Sequence, residues 1–179
     1  MNHIGGSEVA VTMGLSPFCS RLELLKRKLG MTTFKGNIAT ERGKLLEEPV
    51  RKIIEIRLGE DLEELIAQSI EFPWIVAQID GYGPTQQVEI KCPFNGVSFA
   101  KMAQEIPLHY KYQLQHQMLV TGRKACVFAV YYKGELVLTP YAACPVMQSA
   151  CIESSRQFLE DLKQARQASE TQNNLHESA

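Results

Sequence analysis

Three residues near the middle of the chain, Asp80, Glu89 and Lys91, have the types and spacing for chemistry on a phosphate ester. Two short segments, Ala77-Gln78-Ile79-Asp80-Gly81 and Val88-Glu89-Ile90-Lys91, read as strands joined by the turn Gly81-Tyr82-Gly83-Pro84. On the second strand Val88 and Ile90 point one way while Glu89 and Lys91 point the other, because side chains alternate. A carboxylate and an ammonium therefore emerge side by side, and Asp80, closing the preceding strand, can meet them. Two carboxylates are hard oxygen ligands for magnesium, and manganese can substitute. Such an ion polarises a phosphate and activates water, and a neighbouring lysine can orient that water or stabilise transition-state charge. Taken alone the pattern is short. An ordinary surface strand with an Asp turn and a Glu–Lys neighbour pair would share it.

Other segments add to it. A helix over Thr40 to Leu58, stopped by Gly59, carries the adjacent carboxylates Glu47 and Glu48. At roughly 100° per residue, Leu46, Val50, Ile53 and Ile54 form its buried stripe. Glu47 lies at the edge of that stripe and Glu48 falls on the outer face, so Glu47 is the one able to enter an interior site. Further on, Tyr110 and Gln113 share a helix face, with Gln117 one turn beyond. An amide can hold a phosphate or a water, and a tyrosine can hydrogen-bond beside it. Tyr110 alone would also suit a core aromatic, and His116 reads as packing. Four histidines without metal-ligand spacing argue against a histidine-based mechanism.

These residues need a scaffold. Ser16-Pro17 reads as an N-cap and first helical residue, opening a helix through Leu22, Leu24 and Leu25 to Gly30. Strands follow the Thr40–Leu58 helix at about 66–72, 74–80 and 88–93. Helices then cover about 98–103 and 109–120, the second closed by Thr121-Gly122. Ala125–Tyr132 and Leu136–Tyr141 form a hairpin turning at Lys133-Gly134. An amphipathic helix spans roughly 145–167, and 168–179 is a polar, frayed tail. No internal repeat is visible. The order predicts one α/β domain over 1–167, with a mixed central β-sheet flanked by helices.

Composition sets outer limits. A chain of 179 residues suits one core, and 45% hydrophobic with 22% charged residues is ordinary for a globular protein. No apolar run approaches a membrane span, and Met1-Asn2-His3 leads into Ile4-Gly5-Gly6-Ser7 without a signal-peptide pattern. A cytoplasmic protein without membrane association is the expectation. The five cysteines form no CxxC pair and read as reduced thiols. The net charge of −1 is unevenly spread: residues 1–58 hold ten Lys/Arg and six Asp/Glu (+4), the remainder nine and fourteen (−5).

The series Ile4-Gly5-Gly6-Ser7-Glu8-Val9-Ala10, Gly43-Lys44-Leu45-Leu46-Glu47, Asp80-Gly81, Glu89-Ile90-Lys91-Cys92-Pro93 and Tyr110-Lys111-Tyr112-Gln113-Leu114-Gln115-His116 resembles the YqaJ-type viral recombinases. These are the lambda-exonuclease branch of the PD-(D/E)xK nucleases, which have a restriction-endonuclease-like fold. The motifs run in the family's order from Ile4 to about Gly122. The resemblance implies a phage or prophage enzyme in a bacterial cell that degrades one strand of duplex DNA from a 5′ end with magnesium. It implies delivery of the 3′ overhang to a single-strand annealing protein, and a ring-shaped homotrimer threaded by DNA. By the family pattern Asp80, Glu89 and the Ile90 carbonyl hold metal and Lys91 orients water. Glu47, Tyr110 and Gln113 complete the site, and Ser7 contacts a phosphate. Relatives carry an arginine seven residues before the serine that Ser7 matches. The chain starts six before Ser7, so a 5′-phosphate pocket is not implied with the rest.

Two other functions share these residues: an endonuclease or single-strand exonuclease of the same fold, and a non-catalytic DNA-binding module. A module freed from catalysis has no physical need of the Asp, Glu, Lys and Gln together. The low net charge predicts a closed cyclic oligomer, which would concentrate Arg21, Lys26, Arg27, Lys28, Lys35, Arg42 and Arg51 around one DNA passage. Arg42 and Arg51 are thus candidate DNA contacts beside Ser7.

Overall fold

The computed structural model describes residues 3–33, 36 and 38–177, with side chains at these positions except 39 and 170–177. Lys35 lies outside the described residues. Five strands form one mixed sheet whose spatial order follows the chain: β1 (Glu63–Gln68), β2 (Val76–Tyr82), β3 (Gln87–Lys91), β4 (Ala125–Tyr132) and β5 (Glu135–Ala142). Neighbours are antiparallel except β3 and β4, which run parallel. A parallel pair needs a crossover, and α4 (Gly96–Gln104) and α5 (Leu108–Thr121) supply it.

Alternation along the strands builds two cores. Val88, Ile90, Val127 and Ala129 face α3 (Ile38–Leu58), where Val50 and Ile54 meet them. Cys126, Phe128 and Val130 face the other way, onto Phe99, Leu114 and Met118 of α4 and α5. The run Cys126–Val130 is buried on both faces, as its unbroken apolar sequence requires. A third cluster of Ile4, Val9, Val11, Leu24, Cys151 and Phe158 joins α1 (Gly6–Thr12), α2 (Arg21–Lys28) and α6 (Pro145–Glu177) as a layer outside α5. Sandwiched between sheet and outer helices, α5 is buried nearly all round, its polar residues included.

Several element boundaries differ from those read in the sequence. The helix expected from Ser16 starts at Arg21, capped by Ser20, whose hydroxyl accepts from Glu23 N while Glu23 Oε2 accepts from Ser20 N. The short α1 was not anticipated. The three strands lie at 63–68, 76–82 and 87–91, so Gly81-Tyr82 belongs to β2 rather than to the turn. The turn itself is held by Glu60, whose carboxylate accepts from Thr85 N, Thr85 Oγ1 and Gln86 N at 3.0, 2.9 and 2.8 Å. Gly83 must be glycine there, because a Cβ would stand 2.7 Å from the Asp61 carbonyl. Ile53, assigned to the buried stripe of α3, is 37% exposed. Helix α6 continues beyond 167 to Glu177, because 168–177 contain neither glycine nor proline to stop it. The hairpin turn at Lys133-Gly134 is as read, both residues taking positive φ.

Candidate active site

The site forms where β2 and β3 part. Their pairing matches Tyr82 with Gln87 and Gly81 with Val88, and there it ends. One step further would set Asp80 opposite Glu89. Instead the Asp80 carboxylate turns across and accepts the Ile90 amide at 2.8 Å. A side chain thus replaces the strand partner, and the backbones diverge just where two carboxylates face each other.

Glu89 is almost fully buried on the α5 side of β3. It is stabilised there by three donors: Gln113 Nε2 to Oε1 at 2.6 Å, Gln117 Nε2 to Oε2 at 2.5 Å, and the Lys91 ammonium on Oε1. A buried carboxylate is tolerable only when paired and hydrogen-bonded, and both oxygens meet that condition. Gln117 also donates to the Gln78 carbonyl at 2.9 Å, tying α5 to β2. Lys91 keeps 23% of its side chain exposed against 2% for Glu89. Its Nζ lies 4.9 Å from the centre of the Tyr110 ring, a cation–π contact.

Helix α3 closes the other side. Arg51 Nη1 donates to the Asp80 carbonyl at 2.7 Å and Arg42 Nη1 to the Pro93 carbonyl at 3.0 Å, fixing the helix to the ends of β2 and β3. One turn before Arg51 stands Glu47, half-buried, while Glu48 is exposed as read from the helix geometry. Burial raises the Glu47 pKa, with the Lys91 charge opposing and the Glu89 charge adding to it. Asp80 is pushed well above the usual carboxylate range by burial and by the Glu89 charge, against the pull of Lys91 and the Ile90 amide. Burial works against the Lys91 charge, but Glu89 and Asp80 outweigh it and hold the lysine firmly protonated.

Glu47, Asp80 and Glu89 therefore lie within electrostatic reach of one another around a single lysine. Their negative charge exceeds the local positive charge, and a divalent cation with a preference for oxygen would relieve it. The donor set fits magnesium in chemistry. As placed, no three His, Cys, Asp or Glu among the described residues stand together as a ready ligand group; Glu89 is engaged by amides and lysine, and Asp80 by Ile90.

The N-terminal segment is stitched beside β2 by Ile4, whose N–H donates to the Trp74 carbonyl at 2.7 Å and whose carbonyl accepts from Val76 N at 3.0 Å. This lays Gly6 against the side chains of Gln113 and Gln117, with Ser7 exposed next to it. His116 packs, as expected: fully buried, it bonds the Val76 carbonyl through Nε2, and burial lowers its pKa to about 4. The five cysteines are free. Part of the basic excess expected to face DNA is used inside the fold. Arg21 pairs with Asp161, Lys28 with Glu8 at 2.7 Å and with the His3 carbonyl, and Arg51 is engaged on Asp80. Sequence reasoning under-weighted Gln117, although its spacing of four from Gln113 put both amides on one face.

A model of the YqaJ-like viral recombinase domain matches residues 1–124. The chain belongs to that family. The crystal structure of an alkaline exonuclease (LHK-Exo) from Laribacter hongkongensis has the same fold, with TM-score 0.80 and 24% identity over 99% of this chain and 95% of that one. LHK-Exo in complex with dAMP gives a TM-score of 0.81 at 23% identity with the same coverage. A phage-related exonuclease from Haemophilus somnus 129PT matches over 92% of this chain and 96% of its own, with TM-score 0.69 and 14% identity. No curated protein matches the sequence. The fold is thus that of these exonucleases, and the matched residues 1–124 include the strands and helices that meet at Asp80, Glu89 and Lys91. No helix among the described residues is long and apolar enough to cross a membrane.

Proposed function

We propose that this protein is a magnesium-dependent 5′→3′ exonuclease that degrades one strand of linear duplex DNA. The observation that carries the reading is the meeting of Asp80, Glu89 and Lys91 at the parting of β2 and β3, with Glu47 alongside. Family membership supports it, as does the exonuclease fold. A neighbour's complex with dAMP, a mononucleotide, fits release of single nucleotides.

Asp80, Glu89 and the Ile90 carbonyl are the groups that would hold magnesium. Once bound, the ion supplies positive charge that polarises the phosphate and acidifies a nearby water. Lys91, held protonated by Glu89 and Asp80, orients the attacking water and stabilises charge gathering on the phosphate oxygens. Glu47, whose proton affinity burial raises, takes up the proton that water gives away. Tyr110 supports the lysine through its ring face, and Gln113 fixes Glu89. Ser7 offers an exposed hydroxyl to a phosphate, and Arg42 guards the far end of β3. Arg51 acts by holding the Asp80 backbone.

The enzyme acts as a cyclic homotrimer around DNA, in a phage or prophage setting in the bacterial cytoplasm, and passes the overhang to an annealing protein. The ring gathers the basic charge that one subunit lacks, so processive digestion falls steeply with salt. The test is digestion with magnesium of linear duplexes bearing a 5′-phosphate or a 5′-hydroxyl, of single strands and of a closed circle. Light scattering on the same preparation reports the assembly. Degradation of linear duplex from 5′ ends with an intact circle is expected. Cutting of the circle would replace the exonuclease with an endonuclease, and inertness toward every substrate would leave a DNA-binding module. A processive monomer would remove the ring.

A further inference from the structure

Two phenylalanines are largely exposed among the described residues, Phe18 and Phe94. The Phe94 ring is partly covered by the Arg42 guanidinium, 5.8 Å from its centre. Phe18 is more open. It stands in the loop between α1 and α2, 73% exposed, and forgoes the stabilisation that burial of such a side chain contributes. Its ring meets His109 at 5.4 Å between centroids and an interplanar angle of 84°. His109 in turn lies 4.1 Å from the Tyr110 ring, and Lys91 Nζ sits over Tyr110. A ladder of rings thus leads from a solvent-facing aromatic to the lysine of the site.

A perpendicular contact engages one edge or one face of Phe18, so a ring face stays open to solvent. We propose that this face, braced by His109, is a stacking platform for a base of the strand being cut, holding that nucleotide unpaired near the site. The proposal rests on the nuclease reading above. A strand with a phosphate at Lys91 carries its adjoining bases past Tyr110 and His109 toward Phe18. Stacking on an aromatic is tolerant of sequence, since every base has a π-face, and it suits an enzyme that must accept each nucleotide in turn. Burial and the Lys91 charge both disfavour a protonated His109, so the brace is a neutral ring that does not draw a phosphate into the place of a base.

The test has one arm without catalysis and one with it. Linear duplexes carrying 5-iodouracil at successive positions from the end are irradiated with the protein in EDTA, and adducts are mapped by mass spectrometry. Cross-linking to Phe18 at one or two positions, lost in Phe18→Leu, is expected. With magnesium, Phe18→Leu keeps apolar bulk but no π-face and should raise KM on a short duplex about ten-fold, with most of the loss in KM rather than kcat. Phe18→Trp should restore it. A working nuclease with no adduct at Phe18 overturns the platform, as does a Leu variant with wild-type KM. A Phe18 adduct on a protein that cleaves nothing sustains the platform and sinks the nuclease reading. Neither adduct nor cleavage sinks both.

Discussion

The Asp80 carboxylate accepts the amide of Ile90 at 2.8 Å, in the place a neighbouring strand's carbonyl would take. That bond opens the sheet at the site and ties it to one acid whose proton affinity burial and the nearby Glu89 charge raise. Asp80→Asn keeps an acceptor for Ile90 and removes a charge that repels Glu89 and Glu47. Nuclease activity should be lost, while the melting temperature in EDTA stays equal to wild type or rises a few degrees. A variant markedly less stable than wild type would contradict the electrostatic account of this corner.

On the proposed mechanism Lys91 has two roles, in cleavage and in pairing Glu89, that one substitution probes. Lys91→Ala should lower cleavage by about 100- to 1,000-fold or more, the scale of removing a preorganised charge donor, and extra magnesium should not restore it. DNA binding measured in EDTA should change little. Stability should fall by up to about 3–5 kcal/mol, because Glu89 loses its ionic partner in a buried place. Combining Glu89→Gln with Lys91→Ala should recover part of that stability and none of the activity.

The two amides on Glu89 are unequal. Gln117 serves both the carboxylate and the Gln78 carbonyl, whereas Gln113 is bonded to the carboxylate. Gln117→Ala should therefore cost more than Gln113→Ala in urea denaturation, about 1–3 kcal/mol for the acceptors left bare. The reverse order would show that the link between α5 and β2 carries no strain-free load of its own.

His116 makes the fold sensitive to acid. Its pKa falls from 6.5 to about 4 on folding because burial disfavours the charged ring. The unfolded chain then takes up the proton first as pH drops. The stability that the neutral ring contributes is complete above about pH 6.5 and is lost progressively toward pH 4, with about 3 kcal/mol as its upper bound. His116→Gln keeps a donor for Val76 and has no proton to gain. It should be less stable than wild type at pH 7, with the gap narrowing steadily in urea titrations down to pH 4.5.

Residue alternation made much of this legible. Val88 and Ile90 against Glu89 and Lys91 is a pattern of period two, and it placed the acid and the lysine on one face as found. The helix angle separated Glu47 from Glu48 in the same way. What failed was local competition between signals. Ser20 with Glu23 is a complete capping box, yet Ser16-Pro17 upstream looks equally like a start, and the choice depends on where Leu24 finds a core. Helix α1 is seven residues long and opens on two glycines, too short for periodicity to show. Ile53 was assigned to the same helical stripe as Val50 and Ile54, yet it is 37% exposed and takes no part in the cluster they form. Which partner a buried amide or arginine selects, Glu89 for Gln117 or the Asp80 carbonyl for Arg51, depends on contacts between distant segments that no spacing records.

Because the strands lie in chain order, each can pair with its predecessor as the polypeptide leaves the ribosome, until β3. There synthesis must run through α4 and α5 before β4 can join. Throughout that interval Glu89 has no glutamine donors, and β3, which carries it beside Lys91, is the open edge of the half-built sheet. Charged side chains on an open edge discourage pairing with a second nascent chain. Glu89 and Lys91 thus act as edge charges on the incomplete sheet, until α5 docks its glutamines on Glu89 and β4 covers the edge.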